Sequence, residues 1–275
     1  MRHFRLLIAL AFFGACGLAA AAPGIGDAAP PQLASHKAIY DLHLVEGQGT
    51  KTPASASGRI AYDFSSACEG YAQTLRQVVD MQPQEGDRQV TETRTSTYED
   101  AKGVDFRFNI ASPGDKGVEV DGHAERTTAG ALAIALNRPQ PAKLSAGHDV
   151  LFPTQHIEKL IKSAEDGEKI VLARVYDGSD DGQKIFAVTA IIGKAETRPD
   201  PDKGAQSQVL RGLRRWPVAL AYFPADLRDG PPDYVLSFNL YENGVSSGLK
   251  LDYGDFVLTG ELTGIEFPPA AKCRR

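Results

Sequence analysis

The sequence is short of several residue types on which common functions depend. Cysteine, methionine and tryptophan number only 3, 2 and 1 among 275 residues, and 30 Lys and Arg stand against 35 Asp and Glu. With a formal net charge of −5, the chain lacks the basic excess by which proteins bind nucleic acid or anionic membrane surfaces. Helical patterns of period 3.6 are also rare, so β-strands must form most of the fold.

The first residues have the pattern of a secretory signal peptide. Two arginines precede an apolar run at 6–15, and small residues follow up to Ala22. We predict cleavage after Ala21, so that residues 1–21 are removed and the mature protein is exported. Cys16 leaves a minor alternative open, in which the protein is a lipoprotein anchored through this cysteine.

Beyond the signal, the chain divides into a leader and one domain. Residues 22–33 are rich in Ala, Pro and Gly and lack a period, which predicts a flexible leader. Residues 34–275 have a length and composition typical of a single all-β domain. Loss of the signal removes two basic residues and no acidic one, which leaves 28 Lys and Arg against 35 Asp and Glu, or −7. We expect neither a nucleic-acid partner nor a membrane-spanning segment.

Alternation of apolar and polar residues predicts a long series of strands. Ala38, Tyr40, Leu42 and Leu44 alternate with period 2, and turns rich in Gly, Pro and Asp separate the later segments. An antiparallel sheet of a dozen or more strands tends to curl and to close, or nearly close, on itself. The predicted strands are 36–45, a segment around 60–64, 71–81, 88–98, 104–110, 118–126, 131–136, 169–176, 184–192, 216–223, 234–241, 248–253 and 256–267.

The stretch 151–167 predicts an amphipathic helix, and the sheet is expected to surround it. Pro153 suits the first helical position, Thr154 is the alternative cap, and Gly167 supplies a left-handed stop. The apolar stripe, which should be buried, comprises Ile157, Leu160, Ile161 and Ala164. The opposite side comprises Glu158, Lys159, Lys162 and Ser163, with a favourable i,i+4 pair between Glu158 and Lys162.

The longest predicted loop is 196–214. Prolines and aspartates alternate at 199–202. This composition predicts a mobile loop rather than a second domain.

Few strings of residues could support catalysis, and each also has a structural interpretation. The string GVSSG at 244–248 matches the G-x-S-x-G motif of hydrolases, but strand patterns on both sides indicate a hairpin instead of a strand-to-helix elbow. The acidic string at 177–182 is too short for a calcium loop, and Asp252 and Asp255 fit a solvated glycine turn better than an acid/base pair. The histidines lack metal-ligand spacing. No catalytic residue, metal or cofactor is predicted.

The two cysteines outside the signal, Cys68 and Cys273, lie in an exported chain, where a disulfide is the expected state. Such a bridge would tie the carboxyl terminus to an early strand. Two free buried thiols are the alternative.

Eight short strings, taken in order along the mature chain, resemble one bacterial family. They are SHKA at 35–38, YDL at 40–42, TYE at 97–99, LFPT at 151–154, YDGS at 176–179, WP at 216–217, YENG at 241–244 and DYGDF at 252–256. Together they resemble the EipB-like cell-envelope integrity proteins, a periplasmic family long described only as a domain of unknown function. The resemblance implies an open barrel or spiral of antiparallel strands around one helix, similar to periplasmic lipoprotein carriers. It also implies a disulfide that Cys68 and Cys273 match.

The resemblance implies a non-enzymatic role in envelope integrity and in resistance to envelope stress. The leading hypothesis is a periplasmic protein that binds an envelope protein or a lipid-like ligand. A carrier of a hydrophobic ligand or lipoprotein, with the helix as plug or lid, is the alternative, and an envelope hydrolase is a weak third. A large apolar cavity would favour the carrier, and a filled interior would favour protein binding.

Overall fold

The apolar residues that alternate along the sequence form the inner face of one large sheet. In β1 (His36–Val45), Ala38, Tyr40 and Leu42 are buried, whereas Lys37 and His43 are exposed. The computed structural model describes residues 32–45, 52–113, 117–225 and 230–269. The other strands are β2 (Ser55–Ala67), β3 (Gly70–Gln82), β4 (Gln89–Asp100), β5 (Asp105–Ser112), β6 (Val118–Arg126), β7 (Leu132–Arg138), β8 (Ala142–Ala146), β9 (Val150–Leu151), β10 (Ile170–Val175), β11 (Phe186–Ile192), β12 (Arg215–Pro224), β13 (Tyr234–Tyr241), β14 (Ser246–Asp252) and β15 (Val257–Glu266).

These strands form a single 15-stranded sheet in the order β8-β7-β6-β5-β4-β3-β2-β1-β15-β14-β13-β12-β11-β10-β9. All neighbours are antiparallel except β9 and β10, and β1 pairs with β15. The two edge strands, β8 and β9, are consecutive in sequence and are joined by residues 147–149. Such a link spans at most about 14 Å, so the edges lie close together and the sheet is a nearly closed barrel. The predicted fold class is confirmed.

Helix α1 (Pro153–Glu165) lies between β9 and β10 in sequence. Pro153 occupies the first helical position, and Gly167 has φ +80°, the left-handed conformation of a helix stop. Phe152, not Thr154, is the N-cap residue, and its N–H donates to Gln155 Oε1 at 3.0 Å. The helix therefore satisfies one of its free amino-terminal N–H groups with its own third residue.

The predicted polar side of α1 needs two corrections. Ser163 is only 7% exposed, so the buried surface is wider than the apolar stripe. Glu158 does not pair with Lys162: it accepts a hydrogen bond from the Tyr71 hydroxyl at 2.7 Å, while Lys162 contacts Asp166 at 3.4 Å. The sheet wraps far enough around the helix to bind side chains that a surface helix would leave in water.

The loop at 196–214 is not the mobile connector that its composition predicts. Asp200 and Asp202 are 4% and 7% exposed, and a single 3₁₀ turn at Gly204–Gln206 packs against β15. β14 pairs with β15 only as far as Gly260, so the next part of β15 pairs with β1 on one side and has no described strand on the other. The loop fills this gap, because Asp202 Oδ2 accepts the backbone N–H of Leu262 at 2.9 Å.

Some boundaries differ from the predictions. The short edge strands β8 and β9 have too few alternating residues for a period to show, and sequence reasoning missed them. Leu33, predicted to end the leader, is 6% exposed and packs beside Gly244, so the folded part begins before residue 34. The predicted signal peptide, Cys16 and most of the leader lie outside the described residues. Among the described residues, no helix is long and apolar enough to cross a membrane.

Candidate functional site

The concave side of the sheet holds α1 through a buried apolar stripe. Leu160 and Ile161 are 0% exposed, Ala164 is 7% exposed, and Ile157 packs against the same cluster at partial burial. The cluster also contains side chains from both halves of the sheet, among them Phe64, Val171, Val188, Trp216 and Leu240. The helix therefore joins β2 to β10–β13 across the interior of the barrel.

The amino-terminal turn of α1 is attached by hydrogen bonds between polar groups. The Thr154 N–H donates to Glu99 Oε1 at 2.6 Å, and Gln73 Nε2 donates to Thr154 Oγ1 at 3.0 Å. The Tyr62 hydroxyl in turn donates to Gln73 Oε1 at 3.0 Å. We call these four residues the helix seat. A carboxylate that accepts a helix N–H at this end also meets the positive end of the helix dipole.

Burial alters the proton affinity of groups at and beside the helix seat. Burial raises the pKa of Glu99 to about 7, although the hydrogen bonds from Thr154 oppose the shift. The second carboxyl oxygen, Oε2, is buried and has no hydrogen-bond partner among the described residues. Burial also lowers the pKa of His156 to about 4, and nearby Lys159 adds to that shift. His156 is therefore a neutral interior residue at ordinary pH.

Little free space remains between α1 and the sheet. The cavity beside the helix seat measures about 60 Å³ and is lined by His36, Tyr62, Phe64, Gln73, Pro153, Thr154, Ile157 and Gly244. Pockets for small ligands usually measure about 300–1,000 Å³. Among the described residues, α1 therefore leaves too little space beside the helix seat for a ligand of that size.

A second set of buried polar groups attaches the loop at 196–214, and it includes Ser247 of the GVSSG string. Ser247 is fully buried and donates to Asp200 Oδ2 at 2.6 Å, and the Tyr241 hydroxyl donates to the same oxygen at 3.0 Å. Arg215 Nε lies 3.3 Å from that oxygen in an ion contact without hydrogen-bond alignment. We call this set the loop seat. The serine at the nucleophile position of G-x-S-x-G is Ser246, which lies on β14 and pairs with Leu240 of β13, so the string lacks the strand-to-helix elbow of a hydrolase.

The other strings with chemical potential occupy turns. The Asp252 carboxylate accepts the Gly254 N–H in the turn between β14 and β15, where Gly254 has φ +82°. The acidic string at 177–182 joins β10 to β11, and within it Asp177 accepts the Ser179 N–H at 2.9 Å. Among the described residues, no three His, Cys, Asp or Glu side chains are placed to hold a metal ion.

Cys68 lies in the tight turn between β2 and β3 and is disulfide-bonded. Cys273, its predicted partner, lies outside the described residues. The pairing of these two cysteines therefore remains a prediction.

The outer face of the sheet differs between its two halves. On β10 and β11, Ile170, Leu172 and Ile191 are 65%, 68% and 59% exposed and lie on one face, because Ile170 pairs with Ile191. Exposed apolar patches of this kind occur where proteins contact partners. On β1–β4 the outward side chains instead form ion pairs, including Lys37–Asp63, Arg59–Asp41 and Arg76–Glu92.

A groove of about 430 Å³ lies on the outside of β1–β5. Small outward side chains form its floor, namely Ala61, Thr74 and Ser96, and Arg76 and Arg94 stand along one side. We call it the outer groove. Its volume is within the range of small-molecule sites, which the space beside α1 is not.

Glu99, Gln73 and Tyr62 were not identified as site residues from the sequence. The alternation of inward and outward side chains along β4 nevertheless indicated that Glu99 faces inward. Thr91, Thr93, Thr95 and Thr97 share a face of β4 with Glu99, and Thr95 pairs with Leu75 of β3, which packs into the core. A glutamate at an inward position of a strand needs a buried partner. The identity of that partner follows only from the three-dimensional placement of α1.

Comparison with known proteins places these features in a family. The family model described as EipB-like matches residues 27–269. The cell envelope integrity protein EipB of Brucella abortus (strain 2308) is 35% identical over 263 residues, which cover 94% of this chain and 91% of that protein. A crystal structure of a β-barrel-like protein of a domain of unknown function from Brucella abortus superposes with a TM-score of 0.79 at 35% identity, covering 86% of this chain and 99% of that chain. The chain belongs to the EipB-like family.

Proposed function

We propose that this protein maintains the integrity of the cell envelope without catalysis, by binding an envelope protein or a lipid-like ligand. The proposal includes export to the periplasm by the signal peptide at 1–21. The name of the Brucella abortus relative supports the envelope role. The loop seat supports a non-enzymatic role, because Ser247 and Arg215 both contact the buried Asp200 carboxylate as structural groups.

The observation that carries the proposal is the filled interior. α1 occupies the concave side and leaves about 60 Å³ beside the helix seat. An envelope component would therefore bind on the outer surface, where the outer groove and the apolar residues of β10 and β11 are accessible. In this account the barrel serves as a rigid scaffold for surface binding.

A periplasmic carrier of a hydrophobic ligand or lipoprotein is the second candidate. In that mechanism α1 would leave the sheet as a lid and expose the apolar interior. The helix seat favours this candidate, because Glu99 is a buried acid whose pKa is about 7 and whose Oε2 has no hydrogen-bond partner among the described residues. Ionisation of that carboxyl would weaken the attachment of the helix.

Isolation of the mature protein from the periplasm, with mass spectrometry of co-purified lipids and proteins, tests the proposal. We expect one envelope component to be enriched over an unrelated periplasmic protein with the same tag. Cells that lack the gene should tolerate detergents less well, and a plasmid copy should restore tolerance only when residues 1–21 are present. Equal enrichment on the unrelated protein, together with unchanged detergent tolerance, would refute the proposed function.

The predicted export has its own test. Cell fractionation with amino-terminal sequencing should find a protein in the periplasm that begins near Ala22. An acylated Cys16 at the amino terminus would instead identify a membrane-anchored lipoprotein.

A further inference from the structure

The outer groove owes its shape to the register of four strands. Asp63, Thr74, Ser96 and Asn109 lie side by side across β2–β5, and Ala61, Arg76 and Arg94 form the row beside them. Short side chains at Ala61, Thr74 and Ser96 leave a depression between longer neighbours. The groove is therefore a stable part of the sheet surface and needs no movement to open.

The charges along the groove do not balance. Arg76 Nε and Arg94 Nε each donate to the same oxygen, Glu92 Oε1, at 2.6 Å. Two guanidinium groups thus share one carboxylate, and both arginine side chains remain 60% exposed. Each guanidinium has further N–H donors besides Nε. Because the group is rigid and planar, these donors are arranged to bind carboxylate and phosphate groups.

The opposite side of the groove carries Lys37, which contacts Asp63 at 3.0 Å. Three cations thus stand against two carboxylates around this groove, although the whole chain has a net charge of −5. The surface between them is largely apolar, and Ile39 and Ala61 contribute to it. A ligand that complements the outer groove would have an anionic head and an apolar tail.

A neighbouring depression on the same outer surface does not share this excess of positive charge. It measures about 490 Å³ and lies over β1–β3, with Asp41, Arg59 and Asp80 among its lining residues. Arg59 pairs with Asp41, and Asp80 pairs with Arg88, so its cations and carboxylates balance. The outer groove is the better match for an anion.

We propose that the outer groove binds an anionic single-chain amphiphile, with its carboxylate or phosphate head at Arg76 and Arg94 and its acyl chain across Ala61 towards Ile39. The inference rests on the proposed function and specifies a lipid-like ligand for it. A free fatty acid and a lysophospholipid share this chemistry. The volume of about 430 Å³ suits one chain, since it falls in the lower part of the range of ligand pockets.

The test is a titration of the full mature protein with a fluorescent long-chain fatty acid and, separately, with a fluorescent lysophosphatidylglycerol, both below their micelle concentrations. We expect saturable binding of at least one probe with one site per chain. The double variant Arg76→Glu/Arg94→Glu should weaken that binding by about ten-fold or more, since it removes charge-assisted hydrogen bonds. Ala61→Phe should weaken it by occupying the floor, and the matching fatty alcohol should bind about ten-fold more weakly than the acid.

A matched control separates the groove from the general effect of charge. Arg138→Glu/Arg174→Glu changes the net charge equally, at exposed arginines that form ion pairs away from the groove. This control should bind the probes like the wild type. The probe that binds identifies the source of the head group.

Three results would overturn the inference: no saturable binding of either probe, unchanged binding by both groove variants, or equal binding of the fatty alcohol. Circular-dichroism melting of each variant confirms that the protein folds. The proposed function is tested separately. If a groove variant still enriches the same envelope component from the periplasm, the outer groove is not the binding site, but the proposed function stands.

Discussion

α1 and the loop at 196–214 are two segments outside the strands that the sheet holds through buried contacts, and the balance of these contacts differs between them. α1 contributes an apolar stripe, in which Leu160 and Ile161 are 0% exposed, and hydrogen bonds at one end. The loop also buries Ala205 and Leu210, but in addition it is attached along its length through Asp200 and Asp202, which accept hydrogen bonds from β13, β14 and β15. Apolar burial tolerates small shifts in position, whereas buried carboxylates require every partner in place.

This difference explains why the two segments should respond differently to mutation. Loss of one apolar group from α1 removes contacts in proportion to its size. Loss of one carboxylate from the loop leaves several buried donors without a partner at the same time.

Leu160→Asp should have the largest effect. It removes a fully buried side chain and places a carboxylate among apolar groups, so we expect a loss of about 5 kcal/mol or more in the free energy of unfolding. A domain of ordinary stability would then be mostly unfolded. Chemical denaturation followed by circular dichroism measures the change.

Lys162→Asp is the matched control on the exposed side of α1. It breaks only the exposed contact with Asp166 and should change stability by less than about 1 kcal/mol. Similar melting shifts for Leu160→Asp and Lys162→Asp would mean that α1 does not lie inside the sheet.

Asp200→Ala should destabilise the loop seat by about 3–5 kcal/mol, because it leaves two buried hydroxyl groups and the Asp202 N–H without their acceptor. Limited proteolysis should cut the variant within 196–214 before the rest of the chain. Lys203→Ala, in the same loop at an exposed position, should resist the protease like the wild type. A wild-type cleavage pattern for Asp200→Ala would show that the loop is held by other contacts.

Cys68→Ser tests a third, covalent attachment. If Cys68 is paired with Cys273, its loss should lower the melting temperature and destabilise the protein by about 2–5 kcal/mol. Cells with this variant should tolerate detergents less well, in proportion to the loss of folded protein. Two thiols that react with a labelling reagent in the unreduced periplasmic protein would contradict the pairing.

The pH dependence of the helix seat should give a smaller effect than Leu160→Asp. Since the pKa of Glu99 is raised to about 7 by burial, the folded state binds more protons than the unfolded state between pH 4.5 and 7, and this residue destabilises the protein as the pH rises through that window. His156, with its pKa lowered to about 4, acts in the opposite direction below pH 6.5.

Because these two terms oppose each other, the useful quantity is the difference between the wild type and Glu99→Gln. The variant should gain on the order of 3 kcal/mol relative to the wild type between pH 4.5 and 7. Denaturation curves at a series of pH values measure this difference. A difference that does not change with pH would mean that Glu99 titrates normally.

The sequence was sufficient for the fold wherever one residue pattern determined one structure. Alternation located β1, β6 and β13 at their observed bounds, and period 3.6 located α1. The sequence was insufficient where polar residues are buried. Asp200 and Asp202 lie in a segment whose composition is typical of a solvated loop, and their hydrogen-bond partners are distant in sequence. The same reason hid Glu99, whose partner Thr154 is 55 residues away.

Hydrogen exchange of the α1 amides tests most directly whether the helix is a permanent part of the core, with binding left to the outer surface. The account predicts that the amides of Leu160, Ile161 and Ala164 exchange as slowly as those of Tyr40 and Leu42 in β1, through global unfolding only. Exchange of the α1 amides that is much faster than that of β1, under conditions where the sheet stays protected, would contradict the account and identify the helix as a lid.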